Sequence, residues 1–190
     1  MADDLVLFWH RRDLRIRDNL GLAAARQRTP KVIGVFCLDP GILDGDDIAP
    51  ARVAYMIGSL AKLQESYKAA GSELLILQGE PAKAIPKLAA ALDAKAVYWN
   101  RDVEPYSRER DTQVAEALKE KDIERSTQYW DQLMHAPDAL KTGAGDPYKV
   151  YTPFWRKWIQ QSKQAPVEAL TDTTGLSPHE KALANDAGNI

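Results

Sequence analysis

Two clusters of ionisable residues in this 190-residue chain have the types and spacing to do chemistry. The first holds His10, Arg11, Arg12, Asp13, Arg15, Arg17 and Asp18, with four arginines inside seven residues. Guanidinium groups at that density either contact phosphate or another anion, or form a salt-bridged loop that fixes the rim of a sheet. No glycine-rich turn accompanies them, which favours the salt-bridged loop, and His10 alone reads as structural. The second cluster is Asp102, Glu104, Tyr106, Arg108 and Arg110, just after Asn100 and Arg101. Its carboxylates have the chemistry for acid–base work or metal binding. No His/Cys set stands at metal spacing, however, and no Ser/His/Asp order accompanies them. They read as hydrogen-bond acceptors for a ligand or as partners of Arg108 and Arg110. No catalytic residue and no metal site is assigned, and neither a Walker A sequence nor a G-x-G-x-x-G fingerprint is present.

Two further residues stand apart. Arg52 falls in the first turn of a helix opened by Pro50, where a cation opposes the helix dipole. An anionic or hydrogen-bonding ligand would offset that, and so would a pair with Asp46 or Asp47. Cys37 is the one cysteine, so no internal disulfide forms, and a reducing compartment is the default reading.

The elements that must position these residues alternate along the chain. Near-continuous apolar runs at Leu5–Trp9, Val32–Cys37, Leu74–Leu77 and Ala96–Trp99 read as strands covered on both faces, with a weaker fifth at Ser126–Trp130. Between them lie helical patterns: one capped by Asn19 and running to Arg26, and three opened by Pro50, Pro81 and Pro105. The βαβαβαβαβ order implies a doubly wound, five-stranded parallel sheet with helices on both faces, a Rossmann-like α/β fold. Ligands of such sheets sit outside the carboxyl ends of the strands. The two ionisable clusters fall there, as do Cys37, Leu38 and Asp39 after the second strand.

Beyond Asp131 the pattern breaks into a loop region, then a short aromatic helix at Pro153–Ile159, whose Phe154, Trp155 and Trp158 read as core anchors. The expected organisation is one domain over residues 1–160. Residues 161–190 are read as a polar linker, with a short helix near Pro178–Asn185. The net charge is −2 with a pI near 5.9, which argues against general nucleic-acid binding but leaves room for a local basic patch. No apolar stretch approaches the roughly 20 residues that span a bilayer, and the expectation is a soluble, cytoplasmic monomer with no obvious exposed apolar patch.

Three segments carry a family likeness. The stretch Phe8–Asn19, FWHRRDLRIRDN, resembles the first-strand signature W-x-R-x-D-L-R-x-x-D-N of the photolyase/cryptochrome family. Tyr98–Tyr106, YWNRDVEPY, followed by Arg108 and Arg110-Asp111, resembles the same family's fourth-strand region. Gly145–Phe154, GDPYKVYTPF, resembles its later G-x-P-Y motif. Within the family, FCLDP at Phe36–Pro40 and IAPARVAY at Ile48–Tyr55 are most similar to the cyanobacterial-type class I cyclobutane pyrimidine dimer photolyases.

That resemblance implies an antenna domain holding 8-hydroxy-5-deazaflavin, with Cys37, Leu38 and Asp39 on one side, Arg52 in contact, and Asp102, Glu104, Tyr106, Arg108 and Arg110 on the other. Excitation energy would pass to FAD in a C-terminal helical domain absent from this sequence, through which alone damaged DNA would be met. The chain by itself would then be inactive in repair, and residues 161–190 would lead toward that domain. Methenyltetrahydrofolate or a flavin in the same fold, a cryptochrome-like signalling module, and a nucleotide-binding α/β protein unrelated to light are the alternatives.

Overall fold

The computed structural model describes residues 4–45, 48–130 and 133–190. In chain order the elements are β1 (Val6–His10), α1 (Leu20–Arg28), β2 (Val32–Leu38), α2 (Pro40–Leu43), α3 (Pro50–Ala69), β3 (Leu74–Gln78), α4 (Pro81–Ala91), β4 (Ala96–Tyr98), α5 (Pro105–Lys119), β5 (Glu124–Ser126), α6 (Tyr151–Ile159) and α7 (Pro178–Ala187). The five strands form one all-parallel sheet in the order β3-β2-β1-β4-β5. The fold is the expected doubly wound, Rossmann-like α/β architecture. The strand order reverses beside β1, where β2 lies on one side and β4 on the other.

The central strand is buried along its whole length, and its side chains divide by parity. Leu5, Leu7 and Trp9 join Ile33, Val35 and Cys37 in a core closed by α4, α5 and α7. Val6 and Phe8 join Val32, Phe36 and the α3 residues Leu60, Leu63 and Tyr67 on the other face. On that second face Tyr67 is fully buried and packs against Gly34, where a Cβ would stand 2.6 Å from the ring. The Tyr67 Oη donates to His10 Nε2 at 2.7 Å, while His10 Nδ1 donates to the Asp13 carbonyl at 2.9 Å. Burial, partly countered by the Asp13 carbonyl, lowers the imidazole pKa to about 4, so His10 is neutral and structural.

Three differences from expectation have physical causes. The fifth strand is Glu124–Ser126 rather than Ser126–Trp130. An edge strand exposed on its outer side needs no apolar run, only register with β4. The aromatic stretch that suggested a strand contributes a single bridge between Trp130 and Arg101. Helix α2 was not anticipated, although Asp39 followed by Pro40 is an N-cap with proline at the first helical position.

The third difference reverses two expectations at once. Helix α6 buries none of its residues: Trp155 is 42% exposed, Tyr151 73% and Ile159 52%, so its aromatics are not core anchors. The stretch read as linker packs instead. Leu170 enters the α1/α3 core, while Leu176, Ala184 and Ala187 enter the opposite one. Its main chain is held by Ile16 and Pro30 carbonyls, Asn189 Oδ1 accepts from Ile76 N at 3.0 Å, and the Ile190 N–H donates to the Ile76 carbonyl. A segment anchored through backbone groups and caps leaves no apolar periodicity to read. No helix among the described residues is long and apolar enough to cross a membrane.

Gly34→Ala should force Tyr67 off the sheet and break its bond to His10, lowering stability by about 1–3 kcal/mol; urea unfolding checks this, and an unchanged midpoint would show that the face repacks freely. Helix α7 gives a pH prediction. Its Glu180 closes a capping box with Ser177 and pairs with Lys31 at 2.7 Å. Burial alone would raise this carboxyl, but the bonds from Lys31 and Ser177 hold it down at about 2. A depressed folded-state pKa stabilises above the ordinary carboxylate value and is lost as pH falls toward 2. Glu180→Gln, which keeps the capping-box geometry, should therefore cost about 1 kcal/mol at pH 7 and nothing near pH 2, measured by urea unfolding at both pH values.

Candidate functional site

A cleft of about 300 Å³ opens outside the carboxyl ends of β1 and β2, against the first turns of α5. The doubly wound topology selects this place, because the connections leaving β1 diverge there and cannot fill the gap. Of the residues expected at a site, the cleft brings together Cys37, Asp39, Arg52, Glu104, Tyr106 and Arg110. It does not include Leu38, Asp102 or Arg108.

The exclusions follow from element geometry. Leu38 follows Cys37 on β2 and packs against the α1/α3 core outside the cleft, although Phe36 on that same face reaches it. On α5, Tyr106 and Arg110 are one turn apart and face the cleft. Arg108 faces the other side of the helix, into a second cleft that it shares with Asp102. Asp102 is buried and committed to the start of α5. Its Oδ1 accepts from the Val103 N–H at 2.6 Å, its Oδ2 from the Ser107 hydroxyl at 3.1 Å, and Arg12 lies at 3.5 Å. Burial would raise this carboxyl, yet the Val103, Ser107 and Glu104 bonds and Arg12 hold it below the usual carboxylate value. Asp102 and Glu104 thus answer Arg12, not Arg108 or Arg110; Arg12 meets Glu104 at 2.8 Å.

The floor of the cleft is built on Arg110, whose side chain is 8% exposed. Its guanidinium lies 4.9 Å from the Trp9 ring centroid and 5.6 Å from that of Tyr106. Asp111 is 3.3 Å away and Asp39 3.9 Å, so Asp111 is the closer counter-ion and Asp39 balances charge at longer range. Asp39 caps α2 by accepting from the Gly41 N–H at 3.0 Å, and its other oxygen accepts from Tyr106 Oη at 2.8 Å. A Cβ on Gly41 would stand 2.5 Å from that hydroxyl, so glycine is what lets α2 close against Tyr106. Burial, with the Asp39 bond and charge, pushes the Tyr106 phenol up to about 12. Burial and Asp39, against Arg110, push the Cys37 thiol to about 12 as well; it donates to the Gly79 carbonyl at 3.2 Å and is no nucleophile at neutral pH.

Two features of this cleft ask for a ligand. Arg110 Nε is buried and has no hydrogen-bond partner among the described residues. Arg52 lines the mouth, exposed, with no ion pair among the described residues; Asp46 and Asp47 lie outside them. His10, Arg11, Arg12 and Ser107 also line the cleft, and its apolar walls are Trp9, Phe36, Ile42 and Pro81, none of which was expected at the site from sequence. Strand parity from Cys37 would have pointed to Trp9, since both belong to the same core, and the first turn of α4 to Pro81. Arg11 braces the rim, donating to both Asp111 oxygens at 2.5 Å and to the Asn100 carbonyl, while Arg15 pairs with Asp13 at 2.9 Å. The arginine cluster after β1 is thus largely a salt-bridged rim.

Known proteins share this sequence pattern and fold. The DNA photolyase family model matches residues 6–172. A deoxyribodipyrimidine photo-lyase from Synechococcus sp. is 57% identical over 175 residues, covering 92% of this chain and 36% of the relative. A bacterial class III photolyase from Agrobacterium tumefaciens superposes with a TM-score of 0.81 at 29% identity, over 94% of this chain and 36% of that one. An archaeal photolyase from Sulfolobus tokodaii, solved with two FAD molecules, gives a TM-score of 0.78 at 26% identity, over 95% of this chain and 41% of its own length. The sequence spans about a third of the Synechococcus enzyme, and over nearly all of its own length it belongs to the photolyase/cryptochrome family.

Proposed function

We propose that the cleft between β1, β2 and α5 holds a flat, conjugated antenna chromophore of the 8-hydroxy-5-deazaflavin type, and that this chain is the light-harvesting part of a deoxyribodipyrimidine photolyase. The observation that carries the reading is the unpartnered, buried Nε of Arg110. A donor held in a buried guanidinium costs free energy until an acceptor arrives, and ring carbonyls of a deazaflavin are such acceptors. The residues fit the group. Trp9, Phe36, Ile42 and Pro81 give apolar surface for a ring, and Arg52 stands at the mouth to meet its ionisable hydroxyl. The chromophore supplies near-UV or blue absorption; the protein binds it, orients it and keeps water from its polar edge. A volume of about 300 Å³ is at the small end for ligand pockets, so part of the ring system would remain uncovered by this chain.

Energy transfer to FAD, and repair of damaged DNA, belong in this proposal to the portion of the photolyases that this sequence does not span. Helix α6 offers a place for that portion to dock. Tyr151, Trp155 and Ile159 follow one another at helical spacing, exposed, with Val150 and Met134 also exposed. An apolar-faced FAD-binding region, helical by family resemblance, is the proposed partner. A flavin in the same cleft is the second reading, favoured by the Sulfolobus protein, which holds two FAD molecules with the implication of a novel light-harvesting cofactor.

Titration of the chain with 8-hydroxy-5-deazaflavin should give a saturable, red-shifted absorbance band as Arg52 stabilises the ionised ring. Absence of any spectral change, with a shift on FAD instead, would transfer the site to the flavin. Arg52→Ala should weaken binding about 10-fold and leave thermal unfolding nearly unchanged, since an exposed arginine is worth about 0–1 kcal/mol. Arg110→Lys, which keeps the charge but removes Nε and the planar fork, should abolish the spectral shift. Full binding by that variant would mean that Arg110 only braces the fold.

A further inference from the structure

The second cleft, on the opposite side of α5, has a volume of about 670 Å³ and chemistry of its own. Trp130 gives it an aromatic wall, fixed by Arg101. The Arg101 guanidinium lies 5.7 Å from the indole centroid, its Nε donates to the Thr127 carbonyl at 2.6 Å, and its backbone N–H donates to the Tyr129 carbonyl. An arginine stacked on an indole and tied at both ends holds that ring as a platform rather than leaving it to sweep solvent.

The charge of the cleft is uneven. Asp102 and Asp111 stand in its wall, but both are spent inside the fold: Asp102 on the start of α5 and Arg12, Asp111 on Arg11, Arg110 and the Trp99 indole N–H at 3.1 Å. Arg108 and Arg125 also line it, exposed, and their side chains have no hydrogen bond or ion pair among the described residues. With Arg101 they face, among the described residues, one uncommitted carboxylate of the lining, Asp138. The chain as a whole carries a net charge of −2, so this is a local surplus of positive charge on an acidic protein.

We propose that this cleft binds a mononucleotide, with the phosphate between Arg108 and Arg125 and the base against Trp130. Guanidinium forks match phosphate oxygens bidentately, and an indole face accepts any base. An aromatic wall is superfluous for inorganic phosphate. A nucleic-acid strand is disfavoured, because tracking a polymer backbone needs an extended cationic path that a chain of this net charge does not supply. The site does not overlap the chromophore cleft, and its failure would leave the deazaflavin reading untouched.

Isothermal titration of the chain with AMP, sodium phosphate and a short single-stranded oligonucleotide tests it. AMP is expected to saturate with a Kd below about 1 mM, and phosphate alone to bind at least about 10-fold more weakly. Arg125→Ala, on an exposed edge strand, and Trp130→Ala should each weaken AMP about 10-fold or more, with Trp130→Phe restoring it. Arg52→Ala, in the first cleft, should have no effect. Equal affinity for phosphate and AMP, loss of AMP binding in Arg52→Ala, retention in Arg125→Ala, or affinity that climbs with oligonucleotide length would each overturn the proposal.

Discussion

The structure around both clefts depends on the neutralisation of one buried cation. Arg110 is held between Trp9 and Tyr106 with its charge answered by Asp111 and, at longer range, by Asp39. Removing one member of such a buried set leaves the others uncompensated, at about 3–5 kcal/mol. Asp111 in turn receives Arg11 from the end of β1 and the Trp99 indole from the end of β4. One carboxylate therefore ties α5 to both strands at the point where the sheet order reverses. Asp39 extends the set to α2 through its cap on Gly41. The first cleft is the space this network leaves open, and its rigidity comes from charges that must stay paired.

Such a network is also why the site was only partly legible. The position of the cleft was readable, since a parallel sheet places ligands beyond the strand ends, and Cys37, Asp39, Arg52, Glu104, Tyr106 and Arg110 do converge on it. What sequence spacing did not resolve was side. Cys37 and Leu38 are neighbours in sequence and on opposite faces of the sheet. Arg108 and Arg110 are two residues apart on α5, which is about 200° of helix, and they face different clefts. A helical projection carries that information for α5, whereas a run of charged residues read as one patch does not; on β2 parity alone is not enough, since Phe36 and Cys37 lie on opposite faces and both reach the cleft. The pairing of Asp102 and Glu104 with Arg12 lay further out of reach, because it joins segments about ninety residues apart in the chain.

The strands and most helices were legible for a different reason. Continuous apolar runs have one physical home in a sheet covered on both faces, and proline at the first helical turn leaves little choice of boundary. Helices α3, α4 and α5 each begin on such a proline. Where an element was misplaced, as with β5, its stability came from register with a neighbour and not from its own side chains.

Composition failed most clearly at α6 and the following segment, and it failed in opposite directions. The aromatic helix was expected inside and lies outside; the polar stretch was expected outside and wraps the sheet. Burial depends on whether a complementary layer exists, and composition reports only half of that relation. Residues 165–190 find theirs in the edge of β3, α4 and the α1/α3 face, through backbone groups, a capping box and a few apolar side chains. Tyr151, Trp155 and Ile159 find none among the described residues. Burying a large apolar side chain gains about 1.5–3 kcal/mol, so a stripe of three held in water forgoes a sum comparable with much of a domain's net stability. Apolar surface of that extent on an acidic α/β domain is as fixed a feature of the fold as the clefts themselves.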